Sequence, residues 1–402
     1  MENNRKRWFY LGVGTLLLIF CGLIYGWSLF REPFGQVYTT WTLSQLSMTF
    51  TISMTFFCLG GFAAGKLSAK LPPRVIIMMS AVLLLAGFFG VSRMNPQDPS
   101  GSLPMLYLCY GVLGGTGVGF SYNSVIGTMN KWFSDKPGTA SGIMLMGFGL
   151  GALILGSVAT SLISSQGIFR TFLILGIAIF VVLMIGSLFI KAPETQSGKA
   201  ASAPAEGKTA GEMLKTSSFW IFLIWCIVGN SAGLMVINSA ASIAVLFGAP
   251  AIVGMVVSVF NGAGRVLIGG IFDKVGRKTT MLINMIALLA GGIALFMGAK
   301  TVAMALILVG LLCMGIAYGG FPTITSAFIN RQYGPKYFPT NFSLANFSLI
   351  PAAILGPMIS SKLVESAGGA YDTTFMAIII CGIGTLLLWV LLNKACAKEE
   401  QK

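Results

Sequence analysis

The chain contains no histidine among its 402 residues. That absence excludes zinc sites built from Cys and His and catalytic triads that rely on an imidazole base. Acidic residues are scarce as well: twelve Asp and Glu stand against 26 Lys and Arg. Charged residues of all kinds make up 9%, where a soluble domain carries about 25%. Of the seven cysteines, Cys21, Cys58, Cys109, Cys226, Cys313 and Cys381 fall in apolar runs and Cys396 follows the last one. None has C-x-x-C or zinc-finger spacing, so they read as small apolar fillers. No nucleophile and base are paired, and the glycine-rich run GGTGVG at 114–119 lies inside a hydrophobic stretch, where it serves helix packing and not phosphate binding. Neither an enzyme nor a cofactor or metal is expected.

What is abundant is apolar length. Hydrophobic residues make up 55% and there are 51 glycines. At about 20 apolar residues per crossing, twelve spans are expected, at 8–30, 42–65, 74–92, 104–129, 138–164, 168–190, 219–241, 250–272, 279–299, 302–327, 340–360 and 373–393. The first is not followed by a small-residue cleavage site and reads as a retained helix. One polar stretch breaks the rhythm, 191–218, rich in Ala, Ser, Gly, Pro and charge. It separates 1–190 from 219–402, six spans from six. The expected fold class is an all-α integral membrane protein of twelve transmembrane helices in two six-helix lobes, the layout of a transporter built from parallel repeats.

The net charge of +14 suggests nucleic-acid binding at first sight. Topology explains it better. With both termini in the cytoplasm, twenty of the 26 positive residues fall on the cytoplasmic side and five on the outer side. That bias follows the positive-inside rule, and some contact with anionic membrane lipid is expected with it. No nucleic-acid partner is expected. The chain reads as a multi-pass protein of the plasma (inner) membrane, a monomer, with no oligomer implied.

The remaining cation is Arg265, in the middle of the apolar run AIVGMVVSVFNGAGRVLIGGIF. An arginine at a helix centre costs roughly 2.5–3.5 kcal/mol on insertion scales. Gly254, Ser258, Asn261, Arg265, Gly269 and Phe272 share one helical face, small or polar apart from the last. All twelve acids lie at span ends, in loops or in tails, so Arg265 lacks a permanent carboxylate at its own depth unless Glu32 folds inward. One use of such an arginine is to tie helices together through backbone carbonyls. The other is to meet a substrate anion, for which the guanidinium fork is matched in shape and charge.

After this span comes G-x-x-x-D-K-x-G-R-K at 269–278, with Asp273, Lys274, Gly276 and Arg277. The corresponding place after the second span, 65–74, has Ala69 for the aspartate and Pro72 for the glycine. The aspartate can cap a neighbouring helix start or pair with a base. This form resembles the loop signature of the major facilitator superfamily. The runs YNSVIGTMNKWFSDKPGTASGIMLMGFGLG (122–151), GEMLKTSSFW (211–220), FNGAGRVLIGGIFDKVGRK (260–278) and the opening WFYLGVGTLLLIFCGLIYGWSLF (8–30) resemble the oxalate/formate antiporter branch of that superfamily, which adjoins the monocarboxylate transporters.

The resemblance implies an alternating-access transporter. In the oxalate-transporting members two cations grip the dianion, an arginine on the eighth helix and a lysine on the eleventh, and aromatic residues enclose it. Arg265 matches the arginine. Leu349 falls at the lysine and Asn346 at a tryptophan. Tyr25, Tyr122 and Tyr318 match aromatic positions, and Phe148 and Met314 match two more with changed chemistry. No Lys, Arg, Asp or Glu occurs anywhere in 340–360, so no slip of the alignment restores a second cation.

One buried cation balances one carboxylate, and a second charge would be left desolvated and unpaired. The expected substrate is therefore a small organic monocarboxylate of the lactate or pyruvate kind, with the tyrosines as hydroxyl donors and Met314, Phe148 and Leu349 as an apolar wall. Asn261 stands where monocarboxylate transporters more often carry an aspartate linked to proton coupling. An amide cannot carry the proton, so a co-transported proton would need Glu32, Asp273, a tyrosine-bound water or the substrate acid itself. Two alternatives are exchange of oxalate-type dicarboxylates and efflux of amphipathic drugs or neutral metabolites.

Overall fold

The computed structural model describes residues 2–193, 207–237, 239–250, 253–254 and 256–401. The middle of the polar stretch expected at 191–218, namely 194–206, lies outside the described residues. Every regular element among the described residues is helical. Ten helical stretches are long and apolar enough to cross a bilayer, and eight of them run 20–34 residues. The other two are helix α7, Pro137–Phe189, and helix α11, Val256–Thr301, of 53 and 46 residues. At the standard rise these would extend roughly 80 and 70 Å, more than twice the hydrocarbon thickness. Each is broken at one glycine: Gly167 (φ 77°, ψ 165°) in α7 and Gly276 (φ 78°, ψ −179°) in α11. That region of backbone space is essentially closed to residues with a Cβ.

The chain divides into two compact units. The first holds Met1–Ser134, Gly147–Gly207 and Gly334–Leu344; the second holds Asp135–Met146, Lys208–Tyr333 and Ala345–Lys402. The division falls inside α7 and inside the stretch Phe338–Ser366.

In the first unit, α1 (Glu2–Cys21) continues through a 3-10 turn, Gly22–Gly26, into α2 (Trp27–Val37). A capping box starts α3 (Leu43–Leu67): Thr42 Oγ1 accepts from Gln45 N at 3.2 Å, and Gln45 Oε1 accepts from Thr42 N at 2.8 Å. Proline at the first helical position starts α4 (Pro73–Ser92). The next stretch combines α5 (Pro99–Leu106), a π-helical segment (Tyr107–Gly114) and α6 (Gly115–Trp132). The core is aromatic: Phe30, Phe88 and Tyr110 surround Phe172, with ring centroids 4.8, 5.3 and 6.0 Å from it.

The second unit opens with a short helix α8 (Ala210–Leu214), again under a capping box, Thr209 with Glu212. Both the Thr209 N–H and its hydroxyl donate to the Glu212 carboxylate, which holds that carboxyl below its usual range. Then follow α9 (Ser217–Ile237), α10 (Ala240–Leu246), α11, α12 (Met304–Tyr333), α14 (Leu349–Ser366) and α15 (Asp372–Glu400), while α13 (Phe338–Asn346) belongs, up to Leu344, to the first unit. Phe222 stacks on Phe328 at 3.9 Å and Trp225 lies 4.7 Å from Phe321, locking α9 against α12.

The two units repeat one packing scheme. In the first, α6 approaches α3 through Gly115 and Gly119, where a Cβ would strike the carbonyls of Ser53 and Phe57. In the second, α12 approaches α11 through Gly315 and Gly319, where a Cβ would strike the carbonyls of Val257 and Asn261. This register equates Phe57 with Asn261, Gly61 with Arg265, Gly65 with Gly269 and Ala69 with Asp273. The same pairing of the two loop motifs follows from their sequences alone.

Candidate functional site

Arg265 sits mid-helix on α11 and is only 4% exposed. Its Nε donates to Asn261 Oδ1, one turn earlier, at 3.2 Å. One terminal nitrogen, Nη1, donates to the main-chain carbonyl of Leu145 near the start of α7, in the same unit. Gly142 makes that approach feasible, because any Cβ there would run into the Arg265 carbonyl. A guanidinium carries five N–H donors. Two are engaged, which leaves three without an acceptor among the described residues. Among the described residues, no carboxylate lies within ion-pair distance of Arg265.

Tyr318 on α12 is buried, its ring packed on Gly233 of α9, and it lies within electrostatic reach of Arg265. Its hydroxyl has no hydrogen-bond partner among the described residues. Asn346 is the last residue of α13 and is buried; Leu349 is the first residue of α14 and is half-buried. The turn between them has a cause. Pro351 has no N–H for the Phe347 carbonyl, which instead accepts from Ile350 N at 3.2 Å in 3-10 fashion. Met314 is fully buried and faces Gly291 in the second half of α11, away from the Asn261 turn that Gly315 and Gly319 meet. Ser258, expected on the Arg265 face, is exposed.

The first unit gathers the other aromatic candidates. Phe148 lies 5.3 Å from Tyr25 and 4.9 Å from Tyr122. Two residues that the sequence did not single out complete the cluster. Phe57 stacks on Phe148 at 6.0 Å and meets Tyr122 edge-on at 5.0 Å, and Phe342 stacks on Tyr122 at 5.9 Å. Phe57 could have been found from the repeat, since it occupies the Asn261 register. Tyr25 is carried on the 3-10 turn and is half-buried, while Tyr122 and Phe148 are buried.

Asp273 caps the start of α7. Its Oδ1 accepts from Gly138 N at 2.9 Å, and its Oδ2 accepts from Thr139 N at 2.6 Å and from Thr139 Oγ1 at 2.7 Å. These are orphan donors of a first turn that opens on Pro137, and the helix dipole adds to the attraction. Arg331 stands 3.9 Å from the same carboxylate. Arg277 reaches Gln332 at 3.1 Å, Lys274 is exposed, and Gly276 supplies the break in α11. In the first unit Ala69 leaves no carboxylate. There Asn123 Nδ2 donates to the Pro339 carbonyl at 2.8 Å and to that of Gly61, so an amide on α6 ties down the segment that opens α13. Glu32 is exposed on α2.

Residues 10–350 match the sequence profile described as Major Facilitator Superfamily. The chain belongs to that superfamily. It is a multi-pass membrane transporter with an all-helical fold, not an enzyme. Among relatives in this superfamily, the oxalate:formate antiporter of Oxalobacter formigenes is 27% identical over 381 residues, 92% of this chain and 88% of the relative. Human monocarboxylate transporter 10 is 25% identical over 387 residues, 88% of this chain and 70% of the relative. The solved proton:xylose symporter XylE shares the fold at a TM-score of 0.70 and 16% identity, covering 96% of this chain and 95% of that one.

Proposed function

We propose that this superfamily member moves small monocarboxylates, lactate- or pyruvate-like, across the plasma membrane by alternating access, with the substrate carboxylate bound by Arg265. Counting α7 and α11 as two crossings each, at their glycine breaks, turns the ten stretches into twelve. The excess of positive residues in alternate loops then puts both termini in the cytoplasm.

The observation that carries the substrate class is the buried, unneutralised Arg265, with three N–H donors left for a ligand. A carboxylate takes two of them in a fork, and the neighbouring Tyr318 hydroxyl offers a further donor. Leu349, in the same unit as Arg265, supplies apolar contact for the rest of the substrate. Leu349 holds the place of a second base, so the site neutralises one negative charge. The Oxalobacter relative, by its name an oxalate:formate antiporter, supports a second reading, dicarboxylate exchange. The lone cation weighs against it.

Binding also has a mechanical consequence. An incoming carboxylate is a stronger acceptor than the Leu145 carbonyl and competes for the same guanidinium. Capture of substrate therefore loosens the grip of α11 on the first turns of α7. The protein's own acids offer no proton route at the site, since Asn261 cannot ionise, Glu32 is exposed and Asp273 is engaged with the start of α7, so a co-transported proton would travel on the substrate acid.

The test is uptake of labelled lactate and pyruvate into proteoliposomes. Arg265→Ala abolishes uptake while the purified variant keeps its monodispersity and helical signal. Normal uptake by that variant overturns the proposal. A thermal-shift series separates the two readings, because a ligand of the folded state raises stability as RT ln(1 + [L]/Kd). Stabilisation by oxalate and not by lactate would replace the monocarboxylate reading with the dicarboxylate one.

A further inference from the structure

Within two turns, α9 presents two packed faces. Gly229 and Gly233 turn towards α12, where a Cβ would run into the rings of Phe321 and Tyr318. Ser231 and Leu234 turn towards α14, where a Cβ on Gly356 would meet the Ser231 carbonyl and the Leu234 side chain. At about 100° per residue, Asn230 falls between these faces, on the seam of α12 and α14. Its depth follows from the same contacts. A Cβ on Gly319, next to Tyr318, would meet the Asn261 carbonyl and the Arg265 main-chain nitrogen. Asn230 comes one turn before the Gly233 that carries the Tyr318 ring, so it stands within about one helical turn, about 5 Å, of Arg265 in depth. All of these residues belong to the second unit.

Asn230 is 2% exposed. Its Nδ2 donates to the Cys226 carbonyl, one turn earlier, at 2.7 Å. That bond fixes the amide, because the flipped side chain would set Oδ1 against a carbonyl oxygen, acceptor against acceptor. Oδ1 is thus turned away from Cys226, buried, and without a hydrogen-bond partner among the described residues. Native proteins rarely leave a buried polar atom so. Its chemistry is the reverse of its neighbours'. The Arg265 guanidinium offers only donors, and the Tyr318 hydroxyl adds another, which suits a carboxylate. Asn230 Oδ1 can only accept, which suits a ligand that brings a donor of its own. A hydroxyl does so without adding charge. An ammonium would bring a second cation beside Arg265, where no carboxylate balances it. A keto oxygen would set two acceptors against each other, and a bare alkyl chain would leave Oδ1 unmet.

We propose that Asn230 reads a hydroxyl on the substrate, and that the acid carried is a small hydroxy acid, its carboxylate on Arg265 and its hydroxyl donating to Asn230 Oδ1. This assignment rests on Arg265 as the carboxylate site and narrows the substrate class from monocarboxylates at large to those of the lactate kind. A site with a buried polar group discriminates against an analogue that leaves the group unpaired far more strongly than an apolar pocket discriminates by size.

Calorimetric titration of the purified full chain at neutral pH with lactate, propionate and pyruvate tests it, since these acids differ only at the carbon beside the carboxylate. Wild type is expected to bind the better enantiomer of lactate at least about tenfold more tightly than propionate or pyruvate. Asn230→Leu, of similar size but without an acceptor, brings lactate to the propionate level and leaves propionate where it was. Asn230→Ala, which adds no bulk, does the same. Arg265→Ala loses all three acids alike. Equal binding of the three acids by wild type overturns the assignment, leaves the carboxylate site standing, and needs no variant. A lactate preference that survives in Asn230→Leu or Asn230→Ala also overturns it, because another group then reads the hydroxyl. If wild type binds none of the three, Arg265 is not a monocarboxylate site and the assignment falls with it.

Discussion

At Arg265 the deciding quantity is what the guanidinium meets when no substrate is bound. Its two acceptors, Asn261 Oδ1 and the Leu145 carbonyl, are both neutral dipoles. They orient the fork and do not neutralise it. Asn261→Asp would change that with a single atom, placing a fixed carboxylate one turn from the arginine. The variant is expected to bind lactate at least about tenfold more weakly at neutral pH, since the ion pair must be broken first. Beside the arginine the new aspartate is held in its charged form. Its protonation, and so the recovery of lactate binding, comes only as pH falls. Wild type lacks this recovery, and a variant that binds lactate normally at neutral pH would show that the arginine is not the carboxylate site. Leu349→Lys asks the converse question. A second cation at the break before α14 should let oxalate stabilise the protein in a thermal-shift assay where the wild type shows no response, and an unchanged ligand profile would remove Leu349 from the site.

At the scale of elements, the decisive interaction is one side chain serving a distant helix start. Asp273 closes the first turn of α7 through three short hydrogen bonds, and its side chain is 7% exposed. Its removal leaves two main-chain donors without acceptors. Asp273→Ala is expected to cost about 1–2 kcal/mol, the range of a lost helix cap. Arg331 is 45% exposed and 3.9 Å away, so Arg331→Ala is expected to cost well under 1 kcal/mol. The measurement is thermal unfolding of the three purified proteins. Equal losses would mean that the ion pair, and not the cap, holds the element. The cap was legible in the sequence, because the D-K-x-G-R-K motif marks a span end and K-P-G-T marks a helix start. The glycine that breaks α11 was legible in the same motif. Two features were not. The Asn123 tether and the Leu145 contact both end on backbone carbonyls, which leave no trace in residue identity. The π-helical segment within the fourth apolar stretch is hidden for a related reason, since its composition matches that of any other span.

For the whole molecule, Arg265, the one buried cation among the described residues, bears on which half of the proposed transport cycle is slow. On the proposed reading, Arg265 and a bound monocarboxylate form a neutral pair. Without it, the protein has to carry a desolvated, uncompensated guanidinium through the same change of access, at a cost of the kind that isolated buried charges incur. The dipoles of Asn261 and Leu145 offset part of that cost, and the Leu145 contact also ties the empty site to the first turns of α7. Both effects slow the return of the empty carrier more than that of the loaded one. Exchange of one acid for another is therefore expected to run at least about tenfold faster than net uptake, a barrier difference of about 1.4 kcal/mol. Proteoliposomes loaded with unlabelled pyruvate should take up labelled lactate at that higher rate, and a proton gradient imposed across empty vesicles should not close the gap. If empty and loaded vesicles fill equally fast, the bare arginine is not the obstacle. If the proton gradient alone equalises them, a titrating group completes the site, and the sole-cation account of this transporter fails with it.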